Sequence, residues 1–211
     1  MKNKTFNLCL FVSLGILLPL LGKFHLLSDP RILILILFSG WLIFSQPEFK
    51  IKEDETKNRV DKKRLELIFV SSLLSIMLTL IDWSYFHFLP VKYEILFLGL
   101  SFMVFGILFR IWAIKTLGKF FTTRVKFKKD HQLITVGPYK YFRHPSYTGA
   151  FIVFLGVPVI FGSVVGLILT FLCMSIAYKH RINAEEKVLK QGFGQRYEKY
   201  MESTFGLVPG I

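Results

Sequence analysis

Two stretches of this 211-residue chain gather side chains suited to holding a charged ligand. The first runs His131-Gln132-Leu133-Ile134-Thr135-Val136-Gly137-Pro138-Tyr139, then Lys140-Tyr141-Phe142-Arg143-His144-Pro145-Ser146-Tyr147-Thr148-Gly149. The second is Arg181-Ile182-Asn183-Ala184-Glu185-Glu186. Ionised carboxylates accept hydrogen bonds from cationic groups, and a guanidinium offers a planar fork of donors to an anion. Each stretch also has a plain structural reading. Gly137-Pro138-Tyr139 is a turn and His144-Pro145 a helix start, where the missing proline N–H costs little. Arginine and tyrosine are common at membrane interfaces, so the first stretch reads equally as an interfacial elbow. Arg181 and Glu185, four residues apart, share a helical face and suit an ion pair worth only tenths of a kcal/mol.

Whether the two stretches meet depends on the apolar segments around them. With 53% apolar residues and a mean hydropathy of +0.49, the chain is too hydrophobic for an ordinary soluble domain. The apolar residues fall in blocks at Phe6–Gly22, Ile32–Ser45, Leu67–Leu89, Ile95–Leu117 and Phe151–Tyr178. Crossing a hydrocarbon core takes roughly 20 apolar residues, so the third and fourth blocks qualify and the first two are short. A secretory signal would resemble the first block. Leu20-Leu21-Gly22, however, leads into Lys23 and another apolar run rather than a cleavage site, which marks a retained span. Cys9 and Cys173 lie inside apolar blocks with no Cys/His spacing that holds a metal. They are expected to be small buried hydrophobes. The net charge of +13 sits in short loops, where membrane lipid headgroups are nearer partners than nucleic acid.

The loops also orient the chain. Lys and Arg number two between the first and second blocks, seven from Gln46 to Arg64, one near Lys92, seven from Gly118 to Thr148 and six after Tyr178. Basic-rich loops belong in the cytosol, so the first four blocks alternate correctly with a cytosolic N-terminus. A single crossing by the fifth block would then put the basic tail on the wrong side. A hairpin removes the conflict, with breakers at Gly156-Val157-Pro158 and Gly162-Ser163 and arms of about 13 residues, roughly 20 Å each. The alternative is one long, proline-kinked helix. Arg110, near the cytosolic end of the fourth block, is expected to snorkel toward the interface. Tyr197 and Tyr200 in the tail read as packing residues on an amphipathic helix, with Leu207-Val208-Pro209 as a closing loop.

In order and spacing, His131-x-Leu133-x-Thr135-x-Gly137-Pro138-Tyr139, Arg143-His144-Pro145-Ser146-Tyr147-x-Gly149 and Glu185-Glu186 together resemble the isoprenylcysteine carboxyl methyltransferase family. Phospholipid methyltransferases share much of this pattern. The resemblance covers Ile95 to Ile211. It implies an all-α, multi-pass integral membrane bundle of about five to six segments, the last pair a hairpin, with a cytosolic cofactor-binding C-terminal region. Residues 1–92 would form N-terminal spans and 93–211 the methyltransferase core, with both termini and the active site in the cytosol. The implied cofactor is S-adenosylmethionine, without a metal. Its expected contacts are His131, Gln132, Leu133, Ile134, Gly137, Tyr139, Arg143, His144, Pro145, Ser146, Tyr147, Glu185 and Glu186. Arg181 falls where the family holds the acceptor's carboxylate, so Arg181 and Glu185 are the expected catalytic pair. The implied partner is a prenylated or otherwise lipidic acceptor; oligomeric state is not legible.

These roles suit the chemistry. A carboxylate such as Glu185 accepts hydrogen bonds from the cofactor's amino and hydroxyl groups, and Arg181 matches a carboxylate bidentately. An acceptor carboxylate is already ionised at neutral pH, so positioning outweighs proton abstraction. An amine acceptor would need a base, and the readings left open are phosphatidylethanolamine-type N-methylation and, more distantly, an NADPH-dependent membrane reductase. The absence of Gly-x-Gly-x-x-Gly after a strand excludes a soluble nucleotide-binding methyltransferase with an anchor.

Overall fold

In a computed structural model, which describes residues 2–45, 55–86, 91–121 and 132–208, the chain is a bundle of seven α-helices with no strand among the described residues. They are α1 Lys2–Val12, α2 Pro30–Ser45, α3 Glu55–Ile81, α4 Tyr93–Leu117, α5 Pro145–Ile160, α6 Val164–Phe193 and α7 Gln195–Glu202. Among the described residues, three segments are long and apolar enough to cross a membrane: Lys63–Phe86, Tyr93–Phe120 and Val164–Phe193. The apolar helices Lys4–Leu17, Pro30–Ser45 and Pro145–Ile160 are shorter. The expected lengths of the first two blocks hold.

The fifth apolar block turns back on itself. Pro158 sits inside α5 without ending it, and Gly156 is likewise helical. The break comes only at Gly162, whose φ of 66° is left-handed backbone that favours glycine. Ser163 then caps α6: its Oγ accepts from the Gly166 N–H at 2.8 Å and donates to Asp82 Oδ2 at 2.5 Å. That second bond pins the hairpin tip to the end of α3. The arms are unequal, 16 and 30 residues rather than about 13 each, because α6 runs on through the polar Lys179–Lys190 stretch.

α5 is the central helix, with 12 of its 16 residues buried. It meets α4 through paired glycines. A Cβ on Gly106 would lie 2.6 Å from the Gly149 carbonyl oxygen, and one on Gly99 would lie 2.7 Å from the Ile160 nitrogen. With Gly149 and Gly156 facing back, the two backbones cross at the close approach that small residues permit in membranes. Phe97, Phe105, Leu108, Ile168 and Ile176 point outward, exposed, as lipid-facing side chains do. Two expectations fail here. Cys9 is exposed rather than buried, since α1 lies at the outside of the bundle. Arg110 does not snorkel: it is 2% exposed, turned into the α4–α5 seam.

Candidate functional site

The elbow is built by three local devices. Gly137, at φ 61°, opens a 3-10 turn over Gly137–Lys140 against Thr116 and Trp112 of α4. Pro145 then occupies the first turn of α5, where no backbone donor is lost. Between them, Arg143 and His144 are clamped by the C-terminal segment. Arg143 N–H donates to Phe205 O at 2.8 Å and His144 N–H to Gly206 O at 3.3 Å, while Phe205 N–H donates to Tyr141 O at 2.9 Å. Thr148 Oγ1 donates to Leu207 O at 2.5 Å. Tyr200 Oη donates to Tyr139 O at 2.5 Å, and burial pushes the Tyr200 hydroxyl up to about 12, so it remains a donor. The closing loop therefore fastens the elbow from below.

The hairpin brings α6 back beside this elbow. Glu185 and Glu186, about 100° apart around the helix, divide their contacts. Glu185 Oε1 accepts from Tyr147 Oη at 2.5 Å and from Arg181 Nε at 2.8 Å. Its Oε2 lies 3.5 Å from His144 Nδ1. Glu186 Oε1 accepts from Arg143 Nε at 2.7 Å and lies 3.3 Å from His144 Nε2. Arg143 Nη1 reaches on to the Met201 carbonyl at 3.0 Å and to that of Thr204. Burial alone would lower the pKa of His144, but the two flanking carboxylates outweigh it and hold the imidazole above its ordinary value.

Above this network is a pocket lined by elbow residues Gln132, Leu133, Ile134, Tyr139, Arg143, His144, Ser146 and Tyr147 and by Glu185 of α6. Nine of the residues expected at the cofactor thus share one cavity. Gly137, Pro145, Glu186 and Arg181 do not line it. Gly137 and Pro145 shape the backbone, Glu186 braces Arg143, and Arg181, fully buried, stands behind the Tyr147–Glu185 bond. His131 lies outside the described residues.

Several lining residues escaped the sequence reading. Val188, Leu189 and Phe193 follow Glu185 at helical spacing, a stripe legible once Glu185 is known to face a ligand. Leu117, Phe120 and Phe121 close the α4 side and carried no signal. Tyr197 and Tyr200, read as packing, do pack together at 5.9 Å between ring centroids, but both also line the pocket. The Tyr197 hydroxyl is buried with no hydrogen-bond partner among the described residues. Arg110, read as snorkelling, instead donates from Nη1 to Ser146 O at 2.7 Å, tying α4 to the pocket wall.

The donor set fits S-adenosylmethionine. A fixed carboxylate is available to its cationic groups, an unpartnered tyrosine hydroxyl to a polar edge, and aromatic and aliphatic walls to its base. Among the described residues no cluster of His, Cys, Asp or Glu could hold a metal.

Comparison with known proteins identifies the family. Residues 97–191 match the model of the isoprenylcysteine carboxyl methyltransferase (ICMT) family. Protein-S-isoprenylcysteine O-methyltransferase of Dictyostelium discoideum is 36% identical over 141 residues, 66% of this chain and 59% of that protein. Protein-S-isoprenylcysteine O-methyltransferase B of Arabidopsis thaliana is 31% identical over 144 residues, 67% of this chain and 73% of that protein. The chain thus spans about three fifths of the first relative and nearly three quarters of the second. The solved structure of a eukaryotic intramembrane Ras methyltransferase, isoprenylcysteine carboxyl methyltransferase, superposes with a TM-score of 0.59 at 23% identity, over 97% of this chain and 74% of that one. Motifs, relatives and fold converge: this chain is an integral membrane protein that belongs to the isoprenylcysteine carboxyl methyltransferase family.

Proposed function

We propose that the protein is an S-adenosylmethionine-dependent methyltransferase acting on a carboxylate carried by a membrane-borne acceptor, an isoprenylcysteine or a similar lipidic acid. The observation that carries this reading is Glu185, a carboxylate on the pocket wall fixed by Tyr147 and Arg181 and flanked by His144, just beyond the apolar part of α6. The names of the relatives, protein-S-isoprenylcysteine O-methyltransferases, support the acceptor class.

In this reading residues 93–211 form the catalytic core and 1–92 the accompanying spans. Both termini and the pocket face the cytosol, in keeping with the basic loops. Glu185 holds the cationic end of the cofactor, and the Tyr197 hydroxyl takes a polar edge. His144, poised between two carboxylates, orients Glu185 rather than moving a proton. Arg143 and Glu186 brace the elbow. Arg181, one helical turn nearer the membrane than Glu185, is the acceptor-side charge and matches the position where the family holds a carboxylate.

Glu185 and the Tyr197 hydroxyl would hold S-adenosylmethionine, which when bound would supply an electrophilic methyl for an acceptor carboxylate oxygen, the S–CH3 electron pair returning to sulfur and no proton being transferred. Catalysis by this chain is then alignment of two charged reactants in a pocket of low water content. Purified protein in detergent, given methyl-labelled S-adenosylmethionine with a prenylcysteine analogue or with phosphatidylethanolamine, tests the proposal. Label is expected in the prenylcysteine product as a base-labile ester. Label only in phosphatidylethanolamine would overturn the carboxylate reading.

A further inference from the structure

On the far side of Leu133 and Tyr200, which also line the cofactor pocket, lies a second groove. Its walls come from Thr135 and Lys140 of the elbow, from Arg196 and Lys199 on one face of α7, and from Ser203 at the end of that helix. The acidic residues of α7, Glu198 and Glu202, do not line it. Lys140, Arg196 and Lys199 are all exposed, and none forms an ion pair with a described residue. Like charges gathered around one concavity repel, and an anion bound among them relieves that cost.

The surroundings indicate what carries the anion. Beside the groove, Val136, Tyr141 and Phe205 are 64%, 56% and 50% exposed. Backbone hydrogen bonds between the elbow and the C-terminal segment hold Tyr141 and Phe205 together, and Lys140 Nζ lies 5.8 Å from the centre of the Tyr141 ring. Exposed aromatic rings flanked by lysines form the interfacial belt of membrane proteins, with rings at the level of the headgroups and cations toward the phosphates. A soluble anion would have no use for the apolar edge. A basic patch on a protein already fixed in the bilayer has an anionic leaflet as its nearest source of negative charge.

We propose that this groove binds the headgroup phosphate of an anionic phospholipid, with Lys140, Arg196 and Lys199 around the phosphate and Tyr141 and Phe205 against the glycerol and upper acyl chains. Bound lipid would brace α7 against the elbow, and Tyr200, shared by both cavities, would carry that support to the cofactor pocket wall.

Thermal unfolding of the full chain in neutral detergent tests this without reference to methyl transfer. Short-chain phosphatidylglycerol is expected to raise the Tm by about 2 °C or more, an effect that fades with added salt. Phosphatidylcholine of the same chain length, and inorganic phosphate at the same concentration, are expected to leave it unchanged. In the K140Q/R196Q/K199Q variant the shift should vanish while the Tm without lipid and S-adenosylmethionine binding are retained. If that variant does not fold, Lys199→Glu alone should cut the shift by at least half. An equal shift in the variant, or with phosphatidylcholine, or no shift in the native protein, would overturn the proposal. A full shift from inorganic phosphate would also overturn it, leaving a phosphate site with no lipid specificity.

Discussion

The His144 imidazole of the elbow lies 3.5 Å from the Glu185 carboxylate of α6, so a ring at the start of one hairpin arm meets an acid in the polar continuation of the other. Its second nitrogen, 3.3 Å from Glu186, makes the ring a bridge across both acids.

That bridge has a pH signature. The folded pKa of His144 is raised above the ordinary 6.5, because two carboxylates outweigh burial. A raised pKa contributes stability that is fully present below the unfolded value and is lost as pH rises through the folded one. Thermal stability is therefore expected to decline as pH is raised above about 6.5, and the decline should be shallower in His144→Gln. Superimposable pH profiles for the two proteins would remove His144 from the account.

Arg181 and Glu185 are expected to act as a unit. The Nε–Oε1 bond of 2.8 Å joins a fully buried guanidinium to a largely buried carboxylate. Removing either partner weakens the electrostatic support of the other. A double-mutant cycle with Arg181→Met and Glu185→Gln, read as cofactor affinity, should give a coupling of about 1–3 kcal/mol. Additive effects would mean that the pair is incidental.

The glycine seam sets the depth of the elbow. A Cβ at Gly106 would stand 2.6 Å from the Gly149 carbonyl oxygen, a backbone atom with little freedom to yield. Gly106→Ala should cost about 1–3 kcal/mol of stability. Gly40→Ala in α2, where an added Cβ meets nothing within 4 Å, is the matched control. Equal Tm values for the two variants would contradict the close crossing.

Arg110 holds the pocket wall from behind through Ser146 O, at 2.7 Å. Its Nε is buried with no hydrogen-bond partner among the described residues, an arrangement that stability alone does not favour. Arg110→Gln is expected to weaken cofactor binding by about tenfold, in line with a charged hydrogen bond of about 1.5–3 kcal/mol, and Arg110→Lys to recover part of the loss. Unchanged affinity in Arg110→Gln would assign the residue to packing.

Much of this site is legible in the sequence. Loop charge favours a return of the Phe151–Tyr178 block over a single kinked helix, and that return is what sets Glu185 beside His144. The motif residues from Gln132 to Tyr147 then fall around one cavity. The misreadings share a cause. Of the two expected breakers, Gly162-Ser163 does make the turn, whereas Gly156-Val157-Pro158 stays helical within the closely packed α5. Arg110 is near enough to an interface to snorkel, and only the α4–α5 crossing shows that its side chain turns inward to a carbonyl. Tyr197 and Tyr200 have the spacing of packing residues and do pack; that they also line the pocket depends on α7 folding back beneath the elbow, a tertiary fact with no local pattern. The wall from Leu117 to Phe121 was unreadable for the same reason.

The central claim is that the elbow and α6 form one cofactor pocket with Glu185 as its charged wall. Isothermal titration of S-adenosylmethionine into the purified protein and its Glu185→Gln variant tests it most directly. The expected result is saturable one-site binding to the native protein, weakened about tenfold or more in Glu185→Gln under conditions where that variant is shown to be folded. Equal affinity in the two proteins, or no binding to a folded native protein, would contradict the account.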